Sequence, residues 1–460
     1  MMIEDTAAER SEPYKRKRTG WMRFKSTIRS RVIKFRPGEG IMIKIWRPLK
    51  FCLWRVKWSL EAALHGRSAV QVKPGEVDRV YWVAPQKIVY AALQEFNLRD
   101  FNGMALGGEW DLLEKRFDSL DLYLAIRQVC QEGNKWEDTL FYQRILVDLN
   151  AGIAHYGCRN EQDLIEKCQR IEALYQDIHL NGYKSQKELL REGKVPGRLA
   201  AQEEVAVSIG RHGDLLFSDG AHRLAIARLL GIPQIPMKIA VRHTDWVKLR
   251  DELLSYARDD ASTKGCELYQ PVTHPDFADI PAAHGCEHGF QLISACVSVE
   301  RGRLLDISAN LGYFCHRFEE LGFDCYAVEN HPPTAYFLKR LARAENRSFK
   351  IITTSIFDAL EIRNTYFDVV LALSIFHHFV KTRADFLRLV DLLGSLHMGE
   401  LFFEPPSRDE FQMDRAYKDF LPEEFVEYIM AQTGLKNADF IGATNDSGAT
   451  GESRPIFRVY

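Results

Sequence analysis

Residues 303–314 read Arg-Leu-Leu-Asp-Ile-Ser-Ala-Asn-Leu-Gly-Tyr-Phe: an apolar run ending near an aspartate, then small and turn-forming residues, then an aromatic pair. Such a stretch predicts a buried strand that turns into a helix. Small residues at 308, 309 and 312 let backbone come close to a ligand, and the helix start offers free N–H groups. The same grammar recurs downstream. The runs CYAVE (325–329), KIITTS (350–355), FDVVLAL (367–373) and GELFFEP (399–405) alternate with helical patterns near 311–321, 333–345 and 382–394. Short apolar runs bounded by Gly, Asp or Pro and followed by amphipathic helices predict an α/β fold, a doubly wound parallel sheet with helices on both faces. Ligands in such sheets sit beyond the carboxyl ends of the strands. Glu329, closing the second strand, is placed to accept both hydroxyls of a ribose.

At 460 residues the chain exceeds what one hydrophobic core can serve, so two or three domains are expected. Nine scattered cysteines without C-x-x-C spacing argue against a disulfide framework and a zinc ribbon, which fits a reducing cytoplasm. Charge is lopsided: residues 13–60 hold fifteen Lys or Arg against one acid, Glu39, although the whole chain is only −2. Within residues 13–64 the tryptophans 46, 54 and 58 sit beside basic residues on a helical stripe. Three readings stay open for this arm: a cationic helix on an anionic membrane surface, a packed helix with solvated lysines, or a nucleic-acid contact. The location expected is cytoplasmic, peripheral at the inner face of the membrane if lipid binds.

Residues 75–200 read as helical and aromatic. Trp136-Glu137-Asp138-Thr139 suggests helix capping, and the paired glycines of Gly107-Gly108-Glu109-Trp110-Asp111 fit capping or close approach to a ligand. Residues 251–300 are poorly patterned, and their His284, Cys286 and His288 give no defined metal site, so no metal is assigned. Before them, EVAVSIG, a turn, DLLFS, then Asp219-Gly220-Ala221-His222-Arg223 at a helix start, then IPMKIAVRH, make a strand–turn–strand–helix–strand unit. Helix N–H groups and an arginine fork there would suit a phosphate. Alternatively Asp219 caps the helix while His222 and Arg223 tie the loop to the sheet.

From about 265 to 445 the sequence resembles the class I S-adenosylmethionine-dependent methyltransferases, on DISANLGYF, CYAVE, TSIFD and FDVVLALSIFHHF. The resemblance implies that Asp306, Ser308, Asn310 and Gly312 line the methionine part of S-adenosyl-L-methionine, that Glu329 holds its ribose, and that Asp358 or its neighbours meet the adenine. His377 and His378, beyond the fourth strand, become the catalytic candidates, and Glu404 would border the acceptor. Ser308 replaces the loop's usual first glycine and would fit with a negative φ. No N-P-P-Y follows the fourth strand, and the acceptor stays open among small molecules, glycans and lipid-linked groups. Residues 200–245 resemble the ParB-like and sulfiredoxin-like fold, which implies ATP, ADP or CTP phosphate at Asp219, Gly220, His222 and Arg223. Ala221 stands where sulfiredoxins carry cysteine, which removes that chemistry. A nucleotide-dependent kinase or phosphohydrolase, and a non-catalytic adaptor, are the competing functions. The expected domains are a basic arm (1–74), a helical plus ParB-like domain (75–250) and a methyltransferase domain (251–460).

Overall fold

A computed structural model describes residues 69–71, 79–93, 101–194, 204–260, 263, 265–405, 416–444 and 454–460. The chain divides into Met1–Gly66 and Arg67–Tyr460, and every described residue belongs to the second unit. The basic stretch 13–64 therefore lies outside the described residues. Among those residues no helix is long and apolar enough to cross a membrane.

The first sheet comprises β1 (Ala69–Gln71), β2 (Val80–Val83), β3 (Tyr90–Ala91), β4 (Met104–Leu106), β5 (Lys115–Arg116), β6 (Val205–Ile209), β7 (Leu215–Asp219) and β8 (Ile235–His243). Their order is β1-β4-β8-β6-β7-β3-β5, with β2 antiparallel to the first half of β8. Between β5 and β8 come α1 (Asp121–Cys130), α2 (Leu140–Asn150), α3 (Glu161–Asn181), α4 (Gln186–Arg191) and α5 (Ala221–Leu229); α6 (Thr244–Asp259) follows β8. The helical reading of 75–200 thus needs correction. Strands β2 to β5 lie inside it, and at two to four residues each they are too short to show a period of two. Thr139 caps α2 as expected, its hydroxyl accepting from the Tyr142 N–H at 3.2 Å. Asp111 does not cap a helix; it is buried and ion-paired with Arg211 at 2.7 Å.

The second sheet contains β9 (Arg303–Ile307), β10 (Asp324–Val328), β11 (Lys350–Ile352), β12 (Tyr366–Leu373), β13 (His397–Glu404), β14 (Ala438–Thr444) and β15 (Arg454–Val459). The order is β11-β10-β9-β12-β13-β15-β14; the first five are parallel, and β15 runs antiparallel to both neighbours. Its helices are α7 (Glu287–Cys296), α8 (Tyr313–Glu320), α9 (Pro332–Ala344), α10 (Leu360–Arg363), α11 (Phe376–Phe379), α12 (Arg383–Ser395) and α13 (Pro422–Thr433). Side chains alternate between the faces as a pleated strand requires. Leu304, Val369 and Phe402 join a core with Phe314, Phe318 and Leu338, whereas Leu305, Val370 and Phe403 join one with Leu389, Leu393 and Phe425. The order in which the chain adds parallel strands switches direction between β9 and β12, the place where such sheets open a crevice.

The two sheets share a core. Leu311, Phe337, Leu341 and Ala344 of the second half belong to the cluster built around Trp246, Leu249 and Leu253. A buried ion pair anchors this junction: Arg242 on β8 donates from Nε and Nη2 to the Asp276 carboxylate at 2.5–3.0 Å, and Trp246 Nε1 adds a third donor at 2.9 Å. Both charged side chains are at most 3% exposed. Removing one partner of such a pair strands the other charge, at a cost of about 3–5 kcal/mol. Asp276→Ala should therefore lower unfolding stability by that amount in urea titration, and an unchanged midpoint would reject this role.

Candidate active site

A cavity of about 350 Å³ lies beyond the carboxyl ends of β9, β10, β12 and β13. Four of its non-glycine wall residues take left-handed backbone: Cys286 (φ 60°), Ser308 (φ 66°), Asn310 (φ 52°) and Ser374 (φ 53°). Non-glycine residues there cost of order 1–3 kcal/mol, and such outliers gather at functional sites. The expected negative φ at Ser308 is thus overturned. Its loop turns as a glycine would, and the side chain is small enough to allow it.

Gly312 (φ 84°) opens α8, and a Cβ at that position would stand 2.5 Å from Leu338 Cδ1, so glycine is required for conformation and for space. Gln270 Oε1 accepts the Tyr313 N–H at 3.4 Å, one of the first N–H groups of that helix.

Glu329 sits just past β10. Its two carboxylate oxygens accept the backbone N–H groups of Asn310 (3.0 Å) and His331 (2.8 Å), which fixes the group's orientation at the cavity wall. Burial raises its pKa while those two donors oppose the rise. Each oxygen keeps a further lone pair, so the group fits a ribose diol.

Asp306 is buried beneath the loop, with the Cys315 thiol donating at 3.8 Å, and does not line the cavity. Burial pushes its pKa up to about 7. Asp358 is 65% exposed and paired with Arg388 at 2.9 Å, also away from the cavity. Of the two histidines, His378 lines the cavity and His377 packs behind it, their rings 4.0 Å apart. Burial, then Lys381 and Arg454, bring the His378 pKa down to about 4. Lys381 Nζ lies 3.3 Å from His378 Nδ1. An ammonium can only donate, so Nδ1 accepts and the ring hydrogen sits on Nε2.

Glu404 lines the far end, as its position after the fifth strand suggested. It accepts from the hydroxyls of Ser374 and Thr444 (3.0 Å to the latter), while Arg454 Nη1 donates to Ser374 Oγ at 2.6 Å. Tyr256, Asp260, Tyr269, Gln270, Thr444 and Arg454 complete the wall and had no signal in the sequence, because they come from an unpatterned bridge, a helix end of the first half and the last hairpin.

The Asp219–Arg223 loop contributes nothing to this cavity's lining. Gly220 opens α5 with φ 85°, Asp219 ends β7, and Arg223 pairs with buried Glu204 at 3.3 Å, which ties the helix to the start of β6. His222 is largely buried, and burial brings its pKa down to about 4. Among the described residues no group of three or more His, Cys, Asp or Glu could hold a metal ion.

Residues 305–391 match the family model described as a methyltransferase domain. The chain carries a methyltransferase domain. The parallel strands that carry the matched region are arranged in a Rossmann-like sheet. Solved structures similar to it include the bifunctional kinase-methyltransferase WbdD (19% identity, 46% of this chain and 45% of that one, TM-score 0.36). Magnesium protoporphyrin IX methyltransferase from Synechocystis PCC 6803 with bound SAM (13%, 38% and 76%, 0.29) and a SAM-dependent methyltransferase from Archaeoglobus fulgidus (14%, 38% and 92%, 0.29) are others. The likeness spans under half of the kinase-methyltransferase's length. No curated protein matches the chain in sequence.

Burial of Asp306 predicts a pH dependence of stability for this domain. The carboxyl's folded pKa lies above the ordinary carboxylate value, so the folded state holds the proton more tightly and stability falls as pH rises from about 4 through about 7. The full effect is on the order of 4 kcal/mol. Asp306→Asn should gain melting temperature over wild type between pH 4 and pH 8; parallel melting profiles would refute the assignment.

Proposed function

We propose that the cavity at the carboxyl ends of β9, β10, β12 and β13 binds S-adenosylmethionine and transfers its methyl group to an acceptor entering beside His378. The observation that carries this is the Glu329 carboxylate, held by two backbone N–H groups, facing the same cavity as the strained Ser308–Asn310 loop. When bound, the donor supplies a methyl group on a positively charged sulfur. Glu329 holds the ribose, and the Ser308–Gly312 turn brings backbone N–H groups and small side chains against the amino-acid portion. His378, uncharged at neutral pH with Nδ1 held by Lys381, orients the acceptor through its remaining N–H. Glu404, Ser374, Thr444 and Arg454 form the polar end against which an acceptor with several hydroxyl groups, a small molecule or glycan, would rest. Transfer needs the acceptor atom in line behind the methyl, which is a matter of positioning.

A second reading concerns the first sheet, where the ParB-like resemblance suggests nucleotide phosphate at Gly220, His222 and Arg223. Tyr183 Oη and His222 Nε2 are buried without a hydrogen-bond partner, and an incoming phosphate would satisfy both. The Arg223–Glu204 ion pair speaks for a structural loop instead.

Titration calorimetry of the full chain should detect S-adenosylmethionine, and Glu329→Ala should weaken it about tenfold or more, in line with loss of hydrogen bonds to a charged group. No heat at millimolar donor would remove the reading. Incubation with methyl-labelled donor and cell extract should label an acceptor; His378→Ala should cut that labelling at least about tenfold while donor affinity stays constant. For the second reading, ATP, ADP or CTP should bind wild type and not Arg223→Ala, and equal behaviour of the two would reject it.

A further inference from the structure

We infer that Tyr256 and Asp260, at the carboxyl end of α6, form the wall that receives the adenosine part of the donor. The site is then completed by the half of the chain outside the matched methyltransferase region. This rests on the donor reading above.

Both residues line the same cavity as Glu329, His331 and Thr334. Tyr256 reaches across to the second sheet: its hydroxyl is 2.9 Å from Thr334 Oγ1, and its ring packs 5.2 Å from that of Phe337 on α9. Burial raises the phenol's pKa, and the carboxylates of Asp260 and Glu329 add to the rise against the Thr334 hydrogen bond. Asp260 and Glu329 thus line the same cavity as Tyr256. The opposite end is lined by Ser374, His378, Glu404 and Arg454.

A nucleoside is rich in donors, with two ribose hydroxyls and an exocyclic amine. Glu329 serves the diol, and a second carboxylate in the same wall supplies an acceptor for what remains. Asp358, which the family resemblance suggested for the adenine, is exposed and held by Arg388 outside this cavity. Asp260 is the carboxylate in place. Its backbone N–H bonds to the Tyr256 carbonyl at 3.0 Å, and Trp246, Leu249, Leu253 and Ala257 bury the rest of α6, so the wall is mounted on a rigid element.

Calorimetry on the full chain with two probes tests this. S-Adenosylhomocysteine carries both the nucleoside and the amino-acid part, whereas 5′-methylthioadenosine keeps the nucleoside and lacks the amino-acid part. Asp260→Asn should weaken both probes by the same factor, about tenfold. Tyr256→Phe, which deletes only the hydroxyl facing Thr334, should weaken both by a smaller common factor with little change in melting temperature. Ser374→Ala, at the end assigned to the acceptor, should change the affinity for neither probe by more than about twofold. If Asp260→Asn and Tyr256→Phe bind methylthioadenosine as wild type does, the assignment is overturned. If wild type binds neither probe, the donor site itself is wrong, a result distinct from the first.

Discussion

The ion pair between Arg242 and Asp276 is the constraint on which the rest of the molecule hangs. Two charges held in an almost dry junction are stable only with near-complete hydrogen bonding. The Asp276 carboxylate meets that condition by accepting from Arg242 and Trp246, while its own N–H donates to His274 Nδ1 at 3.2 Å and its carbonyl accepts from Arg250 at 2.7 Å. His274 passes the constraint on, its Nε2 lying 3.1 Å from the Gly213 carbonyl in the β6–β7 turn. Gly213 sits there with φ 97°, where a Cβ would come within 2.4 Å of Ala344 Cβ. The turn of one sheet is thus fitted against a helix of the other with no room for a methyl group. The flanking segments, Tyr269 and Gln270 before this junction and α7 after it, are positioned over the strand ends as a consequence.

Strand ends are also where backbone energy is concentrated. Ser308, Asn310 and Ser374 occupy left-handed backbone, which packing around them must maintain. The geometry explains what is gained. A turn of this kind presents backbone N–H groups to the space above β9, and one of them, from Asn310, is used to fix Glu329. The carboxylate and the loop therefore support each other: weaken one and the other loses its orientation. The same loop covers Asp306, whose buried carboxyl is unfavourable when charged.

The five parallel strands of the second sheet were legible as short apolar runs, and β8, read as IPMKIAVRH, matches its structural bounds for the same reason. By contrast β14, largely exposed, and β15, antiparallel to its neighbours, were not read from the sequence. Ser308, Asn310, Glu329 and His378 could be placed because motif spacing at strand ends survives without tertiary information. Three further kinds of feature were not legible. Strands of two to four residues leave no periodic trace. The backbone sign at Ser308 is set by packing rather than residue type. Asp260 and Arg454 enter the cavity from segments about 50 and 150 residues away from the motif loop, with no local pattern to mark them. Asp358 illustrates the converse, since the right residue at the right place in sequence turns outward to Arg388.

A site assembled from both sheets has an energetic consequence. A ligand that contacts α6 and the β9–β13 strand ends together binds only the docked arrangement, so its binding energy adds to the stability of the junction, by about 2.7 kcal/mol at a hundredfold excess over its dissociation constant. That is comparable with the cost of removing one partner of the Arg242–Asp276 pair. Linkage makes the relation reciprocal: loosening the junction weakens the ligand to the extent that it depletes the docked population. The ion pair lies outside the cavity lining, yet it takes part in affinity by holding α6 where Tyr256 can meet Thr334. The upstream half of the chain thus supplies part of the cavity wall at the strand ends, through Tyr256 and Asp260.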